Sequence, residues 1–266
     1  MRSDAGRALG AIVVTWVRDL ARLVVPVECP GCGRHDETLC DTCAGSLNQP
    51  VRRCEADVPR LDRMDRIAPL PVWAVAGYSG AVRGIVVAWK DRGRADLTPV
   101  VVASAQRAGR AVGARLRGGV GPDPVDVVPV PSSLAARRRR GADLVGLLAA
   151  GVVRGLGDAG VGADLAPVLR RRSARDQVGL GARARGRNTS GSFALRRTHA
   201  DRAGRLHLLV DDVVTTGSTL AVCEREITSR GGLVLGAVVL AATPAPQASR
   251  RDRDVAGSEE STKEER

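Results

Sequence analysis

Two stretches of this chain carry residues whose types and spacing could do chemistry. The first is Leu206 to Leu220, LHLLVDDVVTTGSTL. Its apolar run Leu208-Leu209-Val210 predicts a fully buried parallel strand. Asp211 and Asp212 follow at once. The run Val213-Val214-Thr215-Thr216-Gly217-Ser218-Thr219 then leads into an apolar-periodic segment that reads as a helix. Free N–H groups at a helix N-terminus, with the dipole behind them, favour a phosphate. Gly217 would let the backbone approach that anion, and the hydroxyls of Thr215, Thr216, Ser218 and Thr219 would add donors. The acidic pair must then serve another part of the ligand. Ribose hydroxyls suit carboxylates, and a bound Mg²⁺ would offset their charge. A ligand with a 5′-phosphate and a free ribose diol satisfies both halves. The alternative is a buried strand whose end carries solvated aspartates; the coincidence of strand, acid pair, hydroxyl loop and helix start favours a site.

The second stretch is CPGCGRHDETLCDTC. Cys29 and Cys32 form one CxxC, and Cys40 and Cys43 a second, giving four thiolates able to close a tetrahedral zinc site. Two disulfides in an exported protein are the alternative. The lack of an export signal, and an expectation that Cys223 is buried, favour zinc. His35, at the expected hairpin tip, reads as a surface residue, and Cys54 lies outside the spacing. A closed four-ligand site has no open position for catalysis, so this zinc would be structural.

Other elements must position these groups. The 266 residues suffice for one α/β domain with a small extra module. Apolar residues make up 44 % but aromatics only 2 %, so the core must be built from Val, Leu and Ala. The net charge of +12 favours phosphorylated ligands or nucleic acid, and equally suits an Arg-rich solvated surface. No apolar run approaches the ~18 residues of a membrane span. Residues 1–25 begin like a signal peptide. However, Arg18, Asp19 and Arg22 interrupt the apolar patch and no cleavage site follows. Leu9, Val13, Trp16, Leu20 and Val24 recur at helical spacing, so the segment reads as an amphipathic helix docked on the protein, with a membrane-surface helix as the alternative.

The module spans 26–56, and 47–67 reads as a polar linker. Val72 to Tyr78 alternates like a strand. A helix follows with Val82, Ile85, Val86 and Trp89 on its apolar face; Arg83, Lys90, Arg92 and Arg94 lie off that face, where they could meet a polyanion. Leu97 to Leu116 predicts a long helix ended by Gly118-Gly119. Asp126 to Pro131 reads as a strand closed by prolines. Ser132-Ser133 lead to Arg137–Arg140, a run that either contacts phosphate or nucleic acid or is simply solvated. A helix over Asp143 to about Arg154 and a strand over Leu165–Leu169 come next. The Arg- and Gly-rich segment Arg170–Phe193, with Gln177, Arg183, Arg187 and Asn188, is too long for an ordinary connection and could be a cationic lid over a pyrophosphate. Gly231-Gly232 close the helix after the acidic loop, Leu233–Ala241 is a last buried strand, and residues 244–266 read as disordered.

In this order the parts resemble the ComF family, late-competence proteins of bacteria with a type I phosphoribosyltransferase-like domain. The likeness runs from about Pro26 to Thr243 and rests on the paired CxxC, the Tyr78–Arg94 block, the VPVP strand with its basic run and Gly141, the lid ending in Phe193, and the acidic loop. The loop itself resembles the phosphoribosyl-pyrophosphate (PRPP) signature. Ala142-Asp143 departs from the family, which often has an aromatic followed by Asn there. The resemblance implies an α/β type I phosphoribosyltransferase fold over 68–243, an N-terminal structural zinc module, a cytoplasmic setting, and links to competence, DNA uptake or nucleotide salvage. PRPP would bind with Mg²⁺: Asp211 and Asp212 on the ribose diol, Val213–Thr219 on the 5′-phosphate, Arg183 and Arg187 closing over pyrophosphate. Phosphoribosyl transfer to an acceptor, a glycosyltransferase reaction, follows. The other expectation is a non-catalytic factor binding single-stranded DNA or competence proteins. With so few aromatics, its binding to DNA would be backbone-driven and steeply salt-dependent.

Overall fold

The computed structural model describes residues 27–61, 68–172, 193–196 and 204–244. The N-terminal segment, the span with Gln177, Arg183, Arg187 and Asn188, and the C-terminal tail beyond Pro244 lie outside the described residues.

The fold is mixed α/β, built on a six-stranded, mostly parallel sheet flanked by helices. The strands are β1 (Arg52–Arg53), β2 (Val72–Gly77), β3 (Val125–Pro129), β4 (Ala163–Leu165), β7 (Leu206–Val214) and β8 (Leu233–Ala242), in spatial order β1-β2-β8-β7-β3-β4. Only β1 runs antiparallel to its neighbour. A separate antiparallel pair joins β5 (Leu169–Arg171) to β6 (Phe193–Leu195). The helices are α1 (Asp41–Gly45), α2 (Gly80–Asp91), α3 (Thr98–Leu116), α4 (Leu134–Arg140), α5 (Leu144–Asp158) and α6 (Ser218–Thr228).

The central strands are apolar on both faces because both faces are covered. Val72 to Ala76 are all buried, so this strand does not alternate inward and outward as its sequence suggests. One face packs Leu208, Val210, Val125 and Val127 against α2, α3 and α5. The other packs Leu209, Val128 and Val239 against α6, the β5–β6 pair and the turns around Val58 and Leu61. Scarce aromatics are offset by close backbone approach: on α5, a Cβ at Gly155 would overlap the Gln106 carbonyl of α3. Dense packing of small side chains keeps dispersion contacts that larger groups supply elsewhere. Trp89, fully buried, donates from Nε1 to Thr98 Oγ1 at 3.0 Å.

Pro129 is the last residue of β3, a strand with neighbours on both sides, where proline is usually avoided. Its neighbours show why it is tolerated. Val127 O accepts from Ala166 N on the β4 side, whereas Val130 N donates to Val210 O on the β7 side. Alternate residues face alternate neighbours, so Pro129 faces the side where β4 has already ended.

Further sequence expectations change. The 47–67 linker is instead a folded strap over its described part. After β1, two 3-10 turns, Glu55–Asp57 and Pro59–Leu61, bury Cys54, Val58 and Leu61. The single strand over Leu165–Leu169 is two, β4 and β5, in different sheets and separated by Pro167. The arginine run forms its own short helix, α4, capped by Ser133 Oγ accepting from Ala136 N and ended by Gly141 at φ 67°. α5 then begins after Asp143, whose carboxylate caps Gly146 N, and runs to Asp158 rather than Arg154. Last, Asp211 and Asp212 lie inside β7 rather than after it. Among the described residues no helix is long and apolar enough to cross a membrane.

Candidate functional site

At the carboxyl ends of β3 and β7 lies an open cleft of about 350 Å³. Clefts at the carboxyl ends of parallel strands are where ligands bind in open α/β sheets. Its floor is Asp211, Asp212 and Val213 from β7. Val130, Pro131, Ser132 and Ser133 leave β3 along one wall, and Thr219 opens α6. Lys90 from α2, Arg140 from α4, and Arg171 with Phe193 from the β5–β6 pair complete the lining.

Successive strand residues point to opposite faces, so the acid pair straddles the sheet. Asp212 lies on the α2 side, 6 % exposed, and pairs with Lys90 Nζ at 2.6 Å through Oδ2. Its Oδ1 accepts from Val213 N at 2.7 Å. Asp211 accepts from Asp212 N at 2.8 Å. Part of Asp211 remains open to solvent, yet its carboxyl sits deep among protein atoms. Burial, then the neighbouring Asp212 carboxylate, pushes the Asp211 carboxyl up to about 7; the Asp212 N–H and Lys90 only partly oppose this. Lys90, Arg140 and Arg171 bring three cationic groups to the cleft that holds this acid pair, so it suits an anionic ligand whose hydroxyl groups donate to the carboxylates.

The loop between β7 and α6 is short. Thr215 and Thr216 are exposed, while Ser218 and Thr219 already belong to the first helical turn. Among the described residues no side chain caps α6, so its first N–H groups are open to a ligand. Gly217 has φ 78°, which favours glycine, but not for the expected reason. A Cβ there would stand 2.9 Å from Leu61 Cγ and closer still to Val58 Cγ1. Glycine at this position makes room for the strap, and the ligand side is left to the hydroxyl residues.

The structure brings Asp211, Asp212, Val213 and Thr219 to the cleft. Val214 is buried, pairs with Ala242 and does not line it, and Thr215 and Thr216, though exposed, are like Gly217 and Ser218 not among the lining residues. Lys90, Arg140 and Arg171 also line the cleft. The sequence offers each as a possible anion contact, Lys90 off the apolar helix face, Arg140 in the basic run and Arg171 in the cationic lid, but nothing in it brings the three to one place. Arg140 is nearly buried, 3.6 Å from Asp91, and its Nε has no hydrogen-bond partner among the described residues. Other expected polyanion contacts are committed elsewhere. Arg94 donates to the carbonyls of Glu28 and Thr38 and pairs with Asp96; Arg137 pairs with Asp143, and Arg139 with Asp91.

The four cysteines converge as a second site. The Sγ atoms of Cys29, Cys32, Cys40 and Cys43 all lie within 4.8 Å of one another, with Cys29–Cys40 and Cys32–Cys40 at 3.7 Å. A disulfide would need about 2.05 Å. A tetrahedron with metal–sulfur bonds of about 2.3 Å needs roughly 3.75 Å between sulfurs, so this cluster could hold a structural metal ion. Burial works against a Cys29 thiolate, but the N–H groups of Cys40, Gly31 and Cys32 outweigh it and hold the thiol at about 6. Cys54 and Cys223 are buried core thiols, both pushed up by burial.

No protein-family model matches the chain, and comparison with curated proteins also gives no match.

Proposed function

We propose that the cleft binds PRPP or a related ribose 5-phosphate together with Mg²⁺, on a type I phosphoribosyltransferase fold, and that the four thiolates hold zinc. The observation that carries the reading is the acid pair in the last part of β7, joined by a short loop to a helix N-terminus that no described side chain caps. Asp211 and Asp212 accept from the ribose hydroxyls, while the N–H groups opening α6 and the hydroxyls of Ser218 and Thr219 donate to the 5′-phosphate. A divalent cation bound with the ligand would meet the acid pair and neutralise part of the pyrophosphate charge. Lys90, Arg140 and Arg171 supply positive charge to the same cleft.

Phosphoribosyl transfer is the reaction this arrangement serves. A nucleophile on the acceptor forms a bond to the anomeric carbon as the bond to pyrophosphate breaks, and pyrophosphate leaves with that electron pair. The residues present contribute positioning and charge stabilisation rather than a covalent nucleophile. The expected partners in competence and DNA uptake have less support. The pairing of Arg137, Arg139 and Arg140 with Asp143 and Asp91 reduces the cationic field of the basic run. Calorimetry with PRPP and Mg²⁺ tests the proposal: wild type binds, and Asp211→Asn/Asp212→Asn binds at least tenfold more weakly. Equal affinity in the two proteins removes the site from this cleft.

A further inference from the structure

The four-cysteine cluster and the cleft are joined by two physical routes. The first is the strap. Cys43 and Leu47 are buried in the same core as α2, and Arg107 of α3 donates to Leu47 O at 3.1 Å. The chain then enters β1, where Arg53 lies over Trp73, and Cys54 N donates to Val72 O at 3.0 Å. Its 3-10 turns place Val58 and Leu61, both 1 % exposed, on the spot that a side chain at position 217 would fill. The second route is α2. The knuckle residue Pro30 sits so close that a Cβ at Gly84 would overlap its carbonyl oxygen, and Arg94 grips the carbonyls of Glu28 and Thr38. The same helix carries Lys90 to Asp212.

We infer that Val58 and Leu61 are positioning residues that hold the Thr215–Thr219 turn in shape, and that a metal at the four cysteines and a ligand at that turn bind cooperatively. Gly217 sits in a left-handed conformation with its outer side braced by two buried apolar groups. Without that brace, the loop loses the contacts that fix where the first N–H groups of α6 point. Metal binding orders the start of the strap and the knuckle that leans on α2, so it acts on both halves of the cleft. Coupling of this kind is reciprocal.

The ligand half of this inference rests on the reading above; the loop half does not, and is measured first. Hydrogen–deuterium exchange of the full chain without ligand follows the amides of 221–224, which bond to the carbonyls of Gly217 and the first turn of α6, in three proteins: wild type, Val58→Ala/Leu61→Ala, and Leu70→Ala. Leu70 belongs to the same core as Val58 and Leu61 but is not among the atoms nearest Gly217, and so reports general loosening. The inference expects at least threefold faster exchange at 221–224 in the zinc-loaded double variant, with amides at the centre of β3 unchanged and Leu70→Ala like wild type. Chelation of wild type should speed the same amides. If chelation unfolds the whole chain, the zinc-loaded double variant decides. Unchanged exchange at 221–224 in that variant, or equal acceleration in Leu70→Ala, overturns the inference. With ligand, the double variant should lose at least tenfold in affinity for PRPP and Mg²⁺. A wild type that binds no PRPP sinks the ligand reading and leaves the exchange result standing.

Discussion

The cysteine cluster and the acid cleft both gather negative charge, yet they are built in opposite ways. The cluster draws all four groups from one short segment, and three of the four cysteines are buried. Its geometry leaves no coordination position beyond the four sulfurs. The cleft draws its groups from β7, α2, α4, α6 and the β5–β6 pair and stays open. Its Asp211 carboxyl is held up to about 7 by burial beside a second carboxylate. One arrangement spends its ligands on stability. The other holds a carboxyl driven towards neutrality, and perturbed groups of that kind are characteristic of sites awaiting a partner.

The strongest way to break the comparison is to strip the cluster. Cys40→Ala should abolish stoichiometric metal by elemental analysis and unfold residues 27–47, since structural zinc contributes on the order of 10 kcal/mol to small modules. Cys54→Ala should keep the metal. Retention of full metal by Cys40→Ala would show that the four sulfurs do not act as one site.

A smaller effect comes from Asp212→Asn, which leaves Lys90 partly buried without its carboxylate. Thermal unfolding should report a loss of roughly 1–3 kcal/mol. An unchanged melting temperature would mean that the 2.6 Å pair carries no net stability.

The opposite sign is expected at Asp211. Its folded carboxyl titrates near 7 against an unfolded value near 3.8. Between those values the folded state holds more protons than the unfolded state, so stability falls as pH rises through that window. Asp211→Asn should therefore stabilise the ligand-free protein by about 1–2 kcal/mol above pH 7 and remove that slope, while weakening PRPP binding. A variant less stable than wild type at pH 8 would show that the carboxylate is not under charge strain. In the same window PRPP affinity of wild type should rise with pH as Asp211 ionises, as read by calorimetry at several pH values.

Least of all should change with Arg137→Ala. Its pair with Asp143 is largely exposed, and such pairs contribute about 0–1 kcal/mol. A loss above 2 kcal/mol would make the basic run structural.

Much of this was legible in local spacing. The two CxxC pairs name their own cluster because ligands close in sequence need only a hairpin to converge. The strand, acid pair and helix of the β7–α6 unit were equally readable, since apolar period and hydroxyl-rich turns are local signals. The strap was misread because Cys54, Val58 and Leu61 are embedded in charged residues, although their i, i+4, i+7 spacing was a clue. Lys90, Arg140 and Arg171 were invisible as a group: their common destination depends on strand order, which no local pattern encodes.

The sequence by itself determined which residues could bind a metal or an anion, because donor chemistry and short-range periodicity are properties of the chain. Only the tertiary structure decided that Gly217 yields to Val58 and Leu61, that Asp212 meets Lys90, and that Asp211 is driven towards neutrality. Those outcomes depend on what burial and neighbours do to charge and space, and neighbours come from the packing of distant segments.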